Sequence, residues 1–426
     1  MSTIRWVGGA EKKAKVVNYT FAGTWVIGET LTFTIGVKQW TYALTSATIA
    51  TFLPLLVTAY NALTATDYQE MAELTASSTS PDLNLTADAA GKPFACTIST
   101  NSAAGTIEGV AAPNSSSAGT TTTANGGPQS LASVKNYSGG ALPINGDTLI
   151  FDYSDDEILY DLDALSAVTL TVLRIYATFT GKIGMPKNNA DGTEYPEYRA
   201  DYFQVGATTA YIGEGDGDGS SRLKIAFGAV QTTCNIFQSA QGDQDDLGAI
   251  LITGTHASNV FNVTKGDVDI APFGGESATV LTLNQSFETD VAGDANVYLG
   301  PGVTLGTVSK VGGKLEINSA VGTALTNENG DCTINGTGAV AQLTIRGGVV
   351  TLNTTGTVGG NTIVANGLLD LDQDKRAKTI TNPIDCYGLG RVRDTNKVWA
   401  ALIVDYNEMD VGDLGRNVRI TRGAVA

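Results

Sequence analysis

Six times from Gly266 onward a glycine is followed, two and four positions later, by an apolar residue. The units are Gly266 (Val268, Ile270), Gly293 (Ala295, Val297), Gly313 (Leu315, Ile317), Gly330 (Cys332, Ile334), Gly348 (Val350, Leu352) and Gly367 (Leu369, Leu371). Each reads as a turn followed by a strand with one inward face, because successive side chains of a strand point to opposite sides. Successive glycines stand 27, 20, 17, 18 and 19 residues apart. Strands joined by irregular hairpins would not keep so steady an interval. A parallel coil would, with one turn of chain per repeat, about 4.8 Å of height per turn and equivalent inward residues stacked into ladders. The pattern predicts a single-chain parallel β-solenoid (β-helix) over residues 236–397. Cys332 falls on an inward position and reads as an inert core thiol.

Upstream the periodicities change. Residues 1–24, around Trp6, Gly8 and Gly9, lack a clear period and read as an extended N-terminal arm. Residues 25–110 read as a small α+β module of β-β-α-β-β type. Thr30 to Ile35 and Gln39 to Leu44 alternate about a turn at Gly36 to Lys38. A helix over Ser46 to Leu63 carries Ile49, Phe52, Leu53, Leu56, Val57 and Tyr60 on one face, and alternation returns at Met71 to Ala76, Asp82 to Ala87 and Phe94 to Ser99. From Ala111 to Gly127 the chain is nearly all Ser, Thr, Ala, Gly, Asn and Pro, so 111–140 reads as a linker or long surface loop. Residues 141–235 read as a β-rich capping region in which the coil begins, with the apolar run Val168 to Ile175 as a strand covered on both faces. Residues 398–426 read as the closing cap. The fold class is therefore mainly β, in several domains.

Composition narrows the function. Formal net charge is −17, from 43 acidic against 26 basic residues, so nucleic acid is not an expected partner. Met1 to Thr20 contains no continuous apolar stretch and reads as no export signal. Leu44 to Tyr60, interrupted by Pro54, is too short to span a bilayer, so no membrane is expected. Cys96, Cys234, Cys332 and Cys386 lie far apart with no C-x-x-C pair and read as reduced core residues.

Chemistry has few places to reside. The single histidine, His256, sits in the polar turn Gly254 to Ser258 without a nucleophile motif nearby and reads as a turn residue. Glu214, Asp216 and Asp218 alternate with glycines, and Asp243, Asp245 and Asp246 form a second acidic cluster. Such oxygen-rich loops can hold calcium, but neither has the full EF-hand spacing, and both read as solvated turns. Asp267, Asp269 and Glu316 occupy outward repeat positions, where a pair of carboxylates about 5 to 9.5 Å apart could hydrolyse a glycosidic bond. Solubility is the plainer reason for them. Lys12, Lys13 and Lys15 near the start, and Arg416, Arg419 and Arg422 near the end, could dock on acidic neighbours or simply be solvated. No catalytic residue, cofactor or metal is expected.

The segments Gly28-Glu29-Thr30-Leu31-Thr32-Phe33-Thr34-Ile35, Leu85-Thr86-Ala87-Asp88-Ala89-Ala90-Gly91-Lys92-Pro93-Phe94 and Asn145-Gly146-Asp147-Thr148-Leu149-Ile150-Phe151-Asp152 resemble those of virion proteins of tailed bacteriophages and prophages. The resemblance implies a non-enzymatic exterior capsid component, such as a decoration or cement protein. It would be assembled in the host cytoplasm, homo-oligomeric and trimer-compatible, and bound to the major capsid protein or other virion proteins. The alternative it implies is a tail fibre, spike or adhesin that binds or cleaves host surface glycan.

Overall fold

The computed structural model of the protein describes residues 2–184, 201–217, 222–239, 248–285, 295–399 and 404–407. These residues are mainly β and are dominated by two long parallel sheets, one of 13 strands and one of 12. From Thr148–Phe151 onward the chain visits the two sheets in alternation. Each return lays a strand parallel to the previous one of the same sheet. Among the described residues every pairing within these two sheets is parallel, so consecutive visits add height rather than hairpins.

The glycine units lie in the 12-stranded sheet. Val268, Val297, Leu315, Cys332, Val350 and Leu369 are consecutive register partners, forming one inward column in which every member is at most 3% exposed. Ile270, Leu299, Ile317, Ile334 and Leu352 form the next. One unit needs correction. The turn position before Val297 is Ala295, not Gly293, because register pairs Val297 with Val268. Gly293 itself lies outside the described residues.

The glycines have a steric cause. Gly313, Gly330 and Gly348 have φ of 70°, 72° and 65°. A Cβ on them would lie 2.1, 2.3 and 2.1 Å from the carbonyl oxygen of the corner residue one turn below, namely Ala295, Gly313 and Gly330. The corners stack so closely, in the left-handed region, that a side chain would push successive turns apart.

The core of the stack changes character along its length. Its early turns are filled by Phe151, Phe179, Phe203, Phe227 and Phe261, whereas later turns are filled by aliphatic residues such as Val308, Leu325 and Leu343. Fewer residues per turn, 17 between Val308 and Leu325 and 18 between Leu325 and Leu343, enclose less space to fill. One inward column also turns polar where Val263 is followed by Gln285, Lys310 and Asn327, each fully buried. Gln285 donates to the carbonyls of Ala295 (2.8 Å) and Lys314 (2.6 Å), Lys310 to that of Asn329, and Asn327 to that of Gly347 (2.8 Å). These side chains give the carbonyls around the corners buried donors.

The parallel sheets start earlier than residue 141. Thr3–Arg5, in the segment read as an extended arm, pairs with Thr148–Phe151 as the first strand of the 13-stranded sheet. Thr148 to Ile236 then supplies further strands of both sheets, so the region read as a cap is part of the stack. Its longer connections hid the period. Within it, Thr169–Tyr176 buries Leu170, Leu173 and Ile175 but leaves Val172, Arg174 and Tyr176 on the outer side, so it is covered on one face only.

The residues between the first two strands of that sheet form a unit with its own core. Antiparallel sheets built on Val16–Gly23, Asp82–Ala87 and Leu74–Thr79, and on Lys38–Ala43, Thr30–Ile35 and Cys96–Thr100, enclose the helix Ile49–Tyr60. Phe52, Leu53, Leu56 and Tyr60 of the helix meet Tyr19, Phe21, Phe33 and Ile98 in a cluster separate from that of the parallel sheets. Val16–Gly23 had been read as arm, yet it is a central strand burying Val17, Tyr19 and Phe21. The low-complexity stretch is folded as well. Ser116–Ser117 pairs with Cys96–Thr100, and Thr120–Thr123 with Val16–Gly23. Threonine suits a strand, and buried Ser115 accepts the amide of Ile107 (3.0 Å), so little apolar surface is needed there.

Two chain segments join the unit to the parallel stack, running antiparallel with bridges at Trp6–Tyr137 and Lys13–Gly126. Trp6 packs edge-on against Tyr137, centroids 5.3 Å apart, and donates to Asp156 (2.9 Å). Fully buried Asn136 ties both segments, accepting the amide of Ala10 (2.8 Å) and donating to the carbonyls of Gly127 (2.9 Å) and Ser130 (2.8 Å).

Candidate functional site

Alternation turns half of each strand outward, so any site on the stack is built from outward columns. On the 12-stranded sheet these columns are charged. Asp267 accepts a bond from Asn296 one strand above (2.6 Å), with Lys314 next in register. Asp269, Tyr298 and Glu316 follow one another in the adjacent column. Burial raises the Tyr298 pKa, and the carboxylates of Glu316 and Asp269 raise it further. Asp269 and Glu316 are two strands apart, about 10 Å along the stack. Asp269 is 6% exposed, with Oδ2 accepting the Gly248 amide (2.7 Å), while Glu316 accepts bonds from Asn318 (3.2 Å) and Asn335 (2.9 Å). The three outward acids thus share a face, with one of them covered.

The other singled-out residues are dispersed. Nδ1 of His256 accepts the Ser258 amide (3.1 Å), a local turn bond. Glu214 pairs with Arg174 (3.1 Å), whose guanidinium stands 4.8 Å from the centroid of the Tyr211 ring. Asp216 is exposed. Asp218, Asp243, Asp245, Asp246, Arg416, Arg419 and Arg422 lie outside the described residues. Among the described residues no three His, Cys, Asp or Glu side chains gather as a metal set, and no helix is long and apolar enough to cross a membrane. Lys13 is held by its backbone to Gly126, and Lys15 donates to the Phe94 carbonyl (2.7 Å). Burial lowers the Lys15 pKa against the opposing pull of Asp161. These two lysines belong to the folded base of the unit.

All four cysteines are buried free thiols. Burial pushes Cys96, Cys332 and Cys386 up to about 12 and raises Cys234 as well, so the thiolate needed for reaction is scarce at neutral pH.

Sequence reasoning missed the outer face of the 13-stranded sheet. Beyond Arg174 and Tyr211, which are register partners, the outward column continues through Asn235, Asn262 and Asn284, then Ser309, Thr326 and Thr344. Asn262 donates to Asn235 (2.8 Å) and Asn284 to Asn262 (2.8 Å), making an amide ladder. A parallel column holds Thr209, Thr233, Val260, Thr282 and Thr307. Across the seven strands from Thr233–Ile236 to Thr362–Val364 the only charged residue is Lys310, and it points inward. At the head, the rings of Tyr211 and Phe237 lie nearly parallel, 6.5 Å apart, with Phe237 exposed. The available signal was the run of uncharged outward positions, visible only once register is known.

No family model, no curated protein and no solved structure matches this chain.

Proposed function

We propose that this chain is a structural protein of a tailed-bacteriophage virion, of the exterior capsid-decoration kind, and not an enzyme. On this reading the alternating parallel strands wind as a single-chain β-solenoid. The antiparallel unit with its helix is a small α+β module that grips the shell, and the solenoid projects from it or lies across the surface, in a homo-oligomer. The observation that supports the reading is the pairing of two differently built parts in one chain: a compact unit with a separate core, carried on two bridged segments at one end of a stiff, strongly acidic stack. Stiffness follows from the continuous backbone ladders, and the acidity favours solubility in an exposed position. Electron microscopy of intact particles tests it. Density for the chain repeated over the whole capsid is the expected result. A few copies confined to the tail, or none on the particle, would overturn the assignment.

A further inference from the structure

We infer that the charge-free outer face of the 13-stranded sheet binds a neutral, extended polysaccharide lying along the stacking direction. This goes beyond the virion assignment and holds wherever the chain is placed.

The first argument is charge. The chain carries −17 overall and most strands of its other long sheet contain a charged residue, yet seven neighbouring strands here present no charge outward. A polyanion would be repelled by the molecule as a whole, and a cationic partner would find its carboxylates on the opposite sheet. The ligand suited to this face carries no charge.

The second argument is the donor and acceptor pattern. Asn262 donates one amide hydrogen to Asn235 and accepts one from Asn284, so each amide of the ladder keeps a hydrogen and an oxygen lone pair to offer outward. The hydroxyls of Ser309, Thr326 and Thr344 continue the same dual character. Sugar hydroxyls, which also donate and accept, are the natural complement. The exposed ring of Phe237 beside Tyr211 offers a flat apolar platform for the C–H face of a sugar ring.

The third argument is dimension. Outward positions recur about every 4.8 Å along the stack, close to the length of one sugar ring, so a homopolymer would meet an equivalent polar group at each strand. From Tyr211 to Thr344 the column covers seven strands, about 29 Å. The four register positions shared from Thr233–Ile236 and Val260–Val263 to the ends of Ala278–Gln285 and Val303–Lys310 make a strip about 13 Å wide, giving roughly 400 Å² where a stable protein interface covers about 800 Å² on each partner. It is too small to hold a second copy by itself, and its long, narrow shape suits a single chain of sugars.

The test uses the full chain and three neutral probes, cellohexaose, chitohexaose and maltohexaose, with their disaccharides, measured by calorimetry. The expected result is binding of at least one hexasaccharide about tenfold or more tighter than its disaccharide, unchanged by high salt. Asn262→Ala and Thr307→Ala should each weaken it by roughly tenfold, as loss of one hydrogen bond does. Thr333→Ala, on the outer face of the 12-stranded sheet, should leave it intact. Circular dichroism of each variant confirms that these surface changes leave the fold in place. Failure of all three hexasaccharides to bind overturns the proposal, as does binding lost equally in Thr333→Ala. Self-association of the chain that Thr282→Lys abolishes, without sugar binding, would assign the face to a second copy instead.

Discussion

Replacing Gly348 by alanine should open the stack at one corner, and the size of the effect can be worked from its surroundings. The new Cβ would stand 2.1 Å from the Gly330 oxygen and 2.6 Å from the Gly330 nitrogen, with φ at 65°. Holding alanine in the left-handed region costs about 1–2 kcal/mol. Relieving the clash requires the two turns to separate, which stretches the bond from Val349 to the Gly330 carbonyl (3.0 Å), a contribution of about 1 kcal/mol. A loss of about 2–3 kcal/mol follows. Cys332 is the reporter, because its strand pairs directly with Val349–Leu352 and its thiol, pushed up to about 12 by burial, reacts only when the stack opens. Its labelling rate, read by mass spectrometry, should rise by roughly 30- to 100-fold, since about 1.4 kcal/mol is a factor of ten. Gly359→Ala is the matched control, with nothing within 4 Å of its Cβ and no positive φ. Equal labelling of Cys332 in the two variants would refute the corner-stacking argument.

Two further outcomes are expected. Asp374 is held well below the usual carboxylate range by the side chain of Arg376 and then by Lys378, and Asp372 is lowered, against burial, by the Thr395 hydroxyl and the amides of Asn396 and Thr395. Carboxyls depressed by folding contribute stability in full above their ordinary pKa near 3.8 and lose it as pH falls below that value. Peptic cleavage on acidification should therefore begin within 372–399, and cleavage starting elsewhere would count against this. Asn136→Ala should cost about 2–3 kcal/mol by leaving buried backbone groups of both connecting segments unbonded. Limited proteolysis should then release the unit between them, whereas an unchanged digest would show that Trp6 and Tyr137 suffice.

The legible parts of the fold were those where local sequence and packing demand the same thing. The inward column from Val268 to Leu369 was readable because glycine is enforced at the corner and an aliphatic residue two positions later. The strands Thr30–Ile35 and Asp82–Ala87 and the buried face of the helix followed from plain alternation and three-to-four spacing. Elsewhere the cause lay far along the chain. Thr3–Arg5 is a strand only because Thr148–Phe151 lies beside it, and Thr120–Thr123, fully exposed in side chain, is fixed by backbone bonds to Val16–Gly23. The early turns of the stack escaped notice since their connections vary from 24 to 37 residues, as between Leu149, Leu173 and Ala210. The candidate site was hidden for the same reason: Asn235, Asn262 and Asn284 are separated by 27 and 22 residues, and only pairing reveals that they touch.

Placing a separately cored unit between two neighbouring strands has a consequence for the order of events during synthesis. Thr3 to Arg5 leave the ribosome long before their partner, which is available only after residue 148 has emerged. An unstructured loop of that length would have to be closed against chain entropy. Once the unit has folded, its exits at Lys13 and Gly126 already lie side by side, and the gap shrinks to some thirty residues. The saving is about 1.4 kcal/mol by the logarithmic dependence of closure on loop length, so the inserted unit acts as a splint, and the strand that precedes it is recruited only after it has folded.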